Sequence, residues 1–124
     1  MMSGVTETVT RKARAGSGVY ARLVGEVREV LTAREIARVA GVSERQVHHW
    51  RAGETRPRGK ARERLLELHY LVGGLREVYT PEGIEVFWHG RNRDLAGRRP
   101  IELAEAGEFE PLVELVGQLR DTNY

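Results

Sequence analysis

"LTAREIARVAGVSERQVHHWRAGETRP", residues 31 to 57, carries the punctuation of two short helices separated by a tight turn. Thr32 stands where a cap is needed for a helix over Ala33 to about Ala40, and Glu35 occupies the third position, from which a carboxylate reaches back to the cap. Gly41 follows the last apolar residue, at the place where a chain leaving a helix takes positive φ. Ser43 opens the next helix, with Gln46 in the same capping-box relation. Helix, short turn, helix is the plan of a helix-turn-helix. Val42, Val47 and Trp50 share one face and can pack on Ile36, Ala37 and Ala40, which leaves Glu44, Arg45, His48, His49 and Arg51 pointing outward.

The outward residues suit nucleic acid. Arg45 can give a bidentate pair to guanine, His48 and His49 lie on the exposed side with His49 one turn from Arg45, and Ser43 and Gln46 can hold phosphates. Arg51, Arg56, Arg58 and Lys60 continue the positive surface, so we expect double-stranded DNA along it. Glu44 is discordant unless it accepts from a cytosine amine. Trp50 reads as core rather than as a stacking group. The alternative is a helix-turn-helix kept only as a packing scaffold. A metal site is not expected, because His48 and His49 diverge by about 100° on one helix while His69 and His89 lie on others, and the chain has no cysteine.

Working outward, residues 1 to 18 are poor in large apolar side chains and carry Arg11, Lys12 and Arg14, which reads as a flexible basic arm. Val19, Leu23, Val27, Val30 and Leu31 recur at helical spacing and complete a helix-turn-helix domain over residues 19 to 59. Pro57 starts the next segment. Ala61, Leu65, Leu68, Val72, Leu75 and Tyr79 then alternate by fours and threes, a stripe on a connecting helix over residues 60 to 79. Leu65, Leu68, Val72 and Leu75 are the expected seam of a homodimer; packing within the chain is the alternative. Gly73 and Gly74 interrupt the stripe and allow a kink or a close crossing.

Residues 80 to 124 form a second unit. Thr80 and Pro81 open a helix with Ile84, Phe87 and Trp88 inward; Pro100 opens another with Ile101, Leu103 and Ala104, ending at Gly107; Pro111 opens a last one with Leu112, Leu115, Val116 and Leu119. No stretch alternates with period two, so the fold class is all-α. Charge divides at the same place: residues 1 to 78 hold 15 Lys and Arg against 9 acidic residues, and residues 79 to 124 hold 5 against 9. That asymmetry fits a polyanion on the first half and a different partner on the second. No apolar run is long enough for a membrane span and no secretory leader is visible, so the expected location is cytoplasmic. No nucleophile stands near a base with a third group to hold it, so no catalytic residue, enzyme activity or cofactor is expected.

Residues 31 to 57 resemble the helix-turn-helix of the Xre family of bacterial regulators, whose recurrent pattern "LTxxEIAxxxGVSxxxVxxWxxGxxxP" they fit closely. "WHGRNRDLAGRRPIELAEAG", residues 88 to 107, in turn resembles the C-terminal toxin-binding domain of Xre/MbcA/ParS-type antitoxins, which follows an Xre-like domain in chains of about this length. The resemblance implies an antitoxin of a type II toxin–antitoxin system that represses its own operon. It also implies a RES-domain toxin that degrades NAD, plugged at its active site by the antitoxin's C-terminal end, in a higher toxin–antitoxin assembly. The expected toxin contacts are Trp88, Asn92, Arg93, Arg98 and Arg99 on the motif surface, and Arg120, Asp121, Thr122, Asn123 and Tyr124 in a polar tail expected to be mobile. Whether tail or motif surface inhibits stays open. The competing reading is a free-standing Xre-like repressor whose C-terminal half oligomerises or senses a ligand.

Overall fold

The structure, a computed structural model, describes residues 3–122, with side chains from Gly16 onward. It is all-α: α1 Ser3–Arg28, α2 Ala33–Ala40, α3 Glu44–Arg51, α4 Gly59–Arg76, α5 Pro81–His89, α6 Pro100–Glu105 and α7 Glu110–Thr122, with a 3₁₀ turn at Arg93–Leu95. The local signals act as their chemistry requires. Thr32 Oγ1 accepts from the Glu35 amide while Glu35 Oε1 accepts from the Thr32 amide at 2.9 Å, a complete capping box. Gly41 takes φ 76°. Ser43 accepts from the Gln46 amide, but the Gln46 side chain turns to Thr55 Oγ1 instead of returning to the cap, so this box is only half formed.

Three expectations about the elements are corrected. The first helix opens at Ser3, not Val19, so the segment read as a flexible arm is helical. It contains no proline, and extending a helix already anchored by packing costs far less than nucleating one. Val19 is 60% exposed, and the inward face runs instead through Leu23, Val24 and Val27. The last helix opens at Glu110, which leaves Phe109 buried as its lead-in.

The third correction concerns the stripe on α4. Leu65, Leu68, Val72 and Leu75 are each buried to 1% exposure or less within the single chain, together with Leu71. They are therefore not a dimer seam. α4 runs through the middle of the molecule and packs on α1, α2, α5 and α7, which cover the stripe from all sides. At Gly74 the crossing is close enough that a Cβ would stand 2.8 Å from Val116 Cγ1, so glycine there admits α7, and the helix runs on through both glycines. One buried cluster, from Leu23 to Val116, includes both Trp50 and Trp88. The two halves distinguished by charge thus share a core.

Candidate functional sites

Burial of Val47 and Trp50 fixes α3 against α1 and α2 and turns its other faces out. Ser43, Glu44, Arg45 and His48 are exposed, Gln46 and His49 half-buried. Arg45 makes no hydrogen bond or ion pair among the described residues, so its five donors remain available to an acceptor. Its neighbours are engaged. His48 Nε2 lies 3.6 Å from a Glu44 carboxylate oxygen, one turn back on the same helix. His49 Nδ1 is 2.5 Å from Glu54, in the loop after α3, and Gln46 bonds that loop through Thr55. His49 and Gln46 therefore set the exit from α3 as well as presenting themselves to solvent.

Arg51 departs from expectation. A Cβ on Gly25 would stand 3.1 Å from its guanidinium carbon, so the side chain lies back across α1 rather than projecting beside Arg45. Arg56, Arg58 and Lys60 are exposed around the start of α4. With Arg62, which donates to the Tyr20 hydroxyl at 2.7 Å, they form a cationic shoulder beside α3. A cleft of about 800 Å³ lies between Gly16 and Ser17 of α1, Gln46 and Trp50 of α3, and the loop through Arg56 and Arg58.

In the second half, the motif residues build the fold. Trp88 is fully buried, so it is not a toxin contact; its ring packs edge-on to Phe87 inside the core. Asn92 holds the following loop: its side chain accepts from the Asp94 amide, its carbonyl from the Leu95 and Gly97 amides, and its own amide donates to Arg98. Gly97 and Gly107 take φ 81° and 77°, the region that disfavours a side chain. Gly107 also receives the Arg64 guanidinium, where a Cβ would be 2.9 Å from Nη2. Arg98 pairs with Glu108 and Arg99 with Glu102, both at 2.9 Å, while Arg93 is exposed.

The tail is also corrected. Arg120, Asp121 and Thr122 belong to α7; Arg120 pairs with Glu77 at 2.5 Å and Thr122 bonds the Gln118 carbonyl. Backbone continuation from a well-packed helix, and a partner just past the end of α4, hold what the sequence presents as a loose polar end. Asn123 and Tyr124 lie outside the described residues. Sequence reading missed Arg64, which links the Val39 carbonyl at the end of α2 to Gly107, and the second role of Glu35, whose other oxygen takes a hydrogen bond from His89. Neither long-range partner leaves a mark on spacing.

Among the described residues no group of His, Asp and Glu stands together as a metal site, and no helix is long and apolar enough to cross a membrane. No protein-family model matches the chain. The chain is 31% identical over 91 residues to the mycobacterial cidal antitoxin MbcA of Mycobacterium tuberculosis, a match that covers 73% of this chain and 80% of the relative. The same holds for its Mycobacterium bovis counterpart. A probable mycobacterial cidal antitoxin of M. tuberculosis, Rv3188, is 38% identical over 76 residues, 61% of this chain and 64% of the relative. Among solved structures, a chain of the M. tuberculosis MbcT–MbcA toxin–antitoxin complex superposes with a TM-score of 0.72 at 29% identity, over 84% of this chain and 96% of that one.

Proposed function

The chain belongs to the MbcA family of antitoxins, and from that premise we propose that it binds and silences a cognate toxin through its second half and represses its own operon through α2 and α3. The observation that carries the reading is the match to MbcA, which extends over 80% of the relative and so includes more than a shared helix-turn-helix. A free-standing repressor would need only the first half to match. The structurally similar chain comes from a complex with a toxin, which supports a toxin as the partner here.

The toxin we propose is a RES-domain protein that consumes NAD, as the family resemblance implies, and the setting is the cytoplasm. Two surfaces of this chain can reach it. The exposed side of the motif offers Arg93, Arg98 and Arg99, the last two already oriented by Glu108 and Glu102. The end of α7 projects Asp121 and Thr122 beyond the Arg120–Glu77 pair, followed by Asn123 and Tyr124. A short polar segment that carries the Tyr124 ring suits a concave site made for a nucleotide. For DNA, the exposed Arg45 supplies base reading, and Arg56, Arg58, Lys60 and Arg62 supply phosphate contacts. Any dimer on a palindromic operator must use surfaces other than the α4 stripe.

Co-expression with the protein encoded next to it, followed by purification on a tag carried by that neighbour, tests the reading. We expect the two to elute together and the neighbour to be tolerated only in the pair. A neighbour that is harmless alone, or that never retains this chain, would favour the free-standing repressor.

A further inference from the structure

His89, the last residue of α5, faces two acceptors. Its Nδ1 lies 2.8 Å from the Glu85 carbonyl oxygen, and its Nε2 contacts Glu35 Oε2 on α2. A carbonyl can only accept, so Nδ1 must carry hydrogen. With Glu35 ionised and accepting at Oε1 from the Thr32 amide and hydroxyl, its Oε2 can only accept, so Nε2 carries hydrogen as well. With Glu35 ionised, both bonds are satisfied together only by the imidazolium. The other three histidines each meet an acidic side chain through one nitrogen, which a neutral ring can also do.

We propose that His89 is a proton-held strap that ties the end of α5 to the capped start of α2, and that loss of this proton frees these two helix ends while the shared core stays intact. The strap joins the helix that opens the second half to the carboxylate that closes the α2 capping box, so it links the two halves at a defined point of each. This goes beyond the antitoxin reading and does not depend on it. The charged groups lining the hollow around the ring are Arg28 from the end of α1, Glu35 from α2 and Glu85 from α5; α6, packed on both α2 and α5, contributes none. Arg28 is turned aside, donating to the Leu31 carbonyl.

The direction of titration follows from these contacts. The bond to Glu35 raises the His89 pKa above its ordinary 6.5, against burial, which lowers it, and with help from the Glu85 carbonyl. At Glu35 burial pushes upward, but the bonds from His89 and Thr32 outweigh it and leave the carboxyl below its ordinary 4.5. The His89 contribution is therefore complete below pH 6.5 and is lost as pH rises through the raised value. The Glu35 contribution is complete above pH 4.5 and is lost as pH falls through the lowered value. The strap holds between these limits and opens on the alkaline side.

The test is imidazole nitrogen NMR of the full-length chain, titrated from pH 5 to 10, with amide-exchange protection of α2 and α5 measured across the same range. Both His89 nitrogens should show the protonated signature at pH 6.5 and titrate above it, and Glu35→Gln should bring the midpoint down. Protection at the α2 start and the α5 end should fall through the His89 midpoint, about tenfold for each unit by which that midpoint exceeds 6.5. His89→Gln should show the low protection at every pH. A His89 midpoint at or below 6.5, a neutral-tautomer signature at pH 6.5, or protection that stays flat through the midpoint would overturn the proposal. The wild-type titration decides it even if a variant fails to fold.

Discussion

Gly73 and Gly74 are neighbours in α4 with opposite surroundings. A Cβ at Gly74 meets Val116 at 2.8 Å, whereas one at Gly73 meets nothing within 4 Å. Gly74→Ala should therefore cost about 1–3 kcal/mol, because the β-branched Val116 has little freedom to move aside. Gly73→Ala, exposed in a helix interior, should be neutral or stabilising by up to about 1 kcal/mol. Urea denaturation of the two variants checks both, and equal effects would deny the close α4–α7 crossing. Arg45 and Arg51 make a similar contrast at the face proposed for DNA. Arg45→Ala should weaken binding to the operator by about 1–3 kcal/mol and relax base preference, while Arg51→Ala, which removes a side chain laid over Gly25, should lower stability and leave preference intact. Competition gel shifts on matched and mismatched duplexes would show it. Residue signals that act within three or four positions were legible in the sequence: Thr32 with Glu35, Gly41, Ser43, and Thr80 before Pro81 all do what their spacing implies. The folding back of Arg51 was not, since it depends on a glycine 26 positions away.

Among the elements, periodicity revealed which residues of α4 share a face but not what covers it. Leu65, Leu68, Val72 and Leu75 make the same stripe whether a second copy or the same chain lies against them, and here α1, α2, α5 and α7 do. Leu68→Ala should therefore destabilise the chain by about 2–5 kcal/mol through the cavity it leaves, with no change in molar mass by light scattering. A change of mass at unchanged stability would return the stripe to an interface. The C-terminal helix shows the limit from the other side. Its apolar face was plain, but nothing in "RDTNY" reveals that Arg120 meets Glu77, the residue that follows α4. Removing residues 121 to 124 keeps that pair and every buried side chain among the described residues, so folding should survive. If this segment plugs the toxin, the truncated chain should bind toxin yet leave its activity intact. Full inhibition by the truncated chain would assign the block to the surface around Arg93, Arg98 and Arg99.

At the scale of the whole molecule, the charge division is real in the sequence but the core ignores it. Trp50 lies in the first half and Trp88 in the second, both buried in one cluster. Single-tryptophan variants made with Trp50→Phe and Trp88→Phe should each unfold in one transition with unchanged cooperativity, since α4 contributes buried side chains to both halves. A biphasic curve in either would separate the halves into independent domains. The all-α class and the order of the elements could be read from caps, prolines and apolar spacing because each is a local property. The motif from Trp88 to Gly107 was legible as a signature, but most of its residues shape the loop and core, so it marked the family more clearly than the surface that meets a partner. The central claim is that this chain neutralises a toxin, and its most direct test is a titration of the purified chain into the partner encoded beside it while NAD consumption is followed. The account predicts that consumption falls linearly with added chain and stops at a fixed stoichiometric ratio. NAD consumption that continues unchanged at excess chain would contradict it.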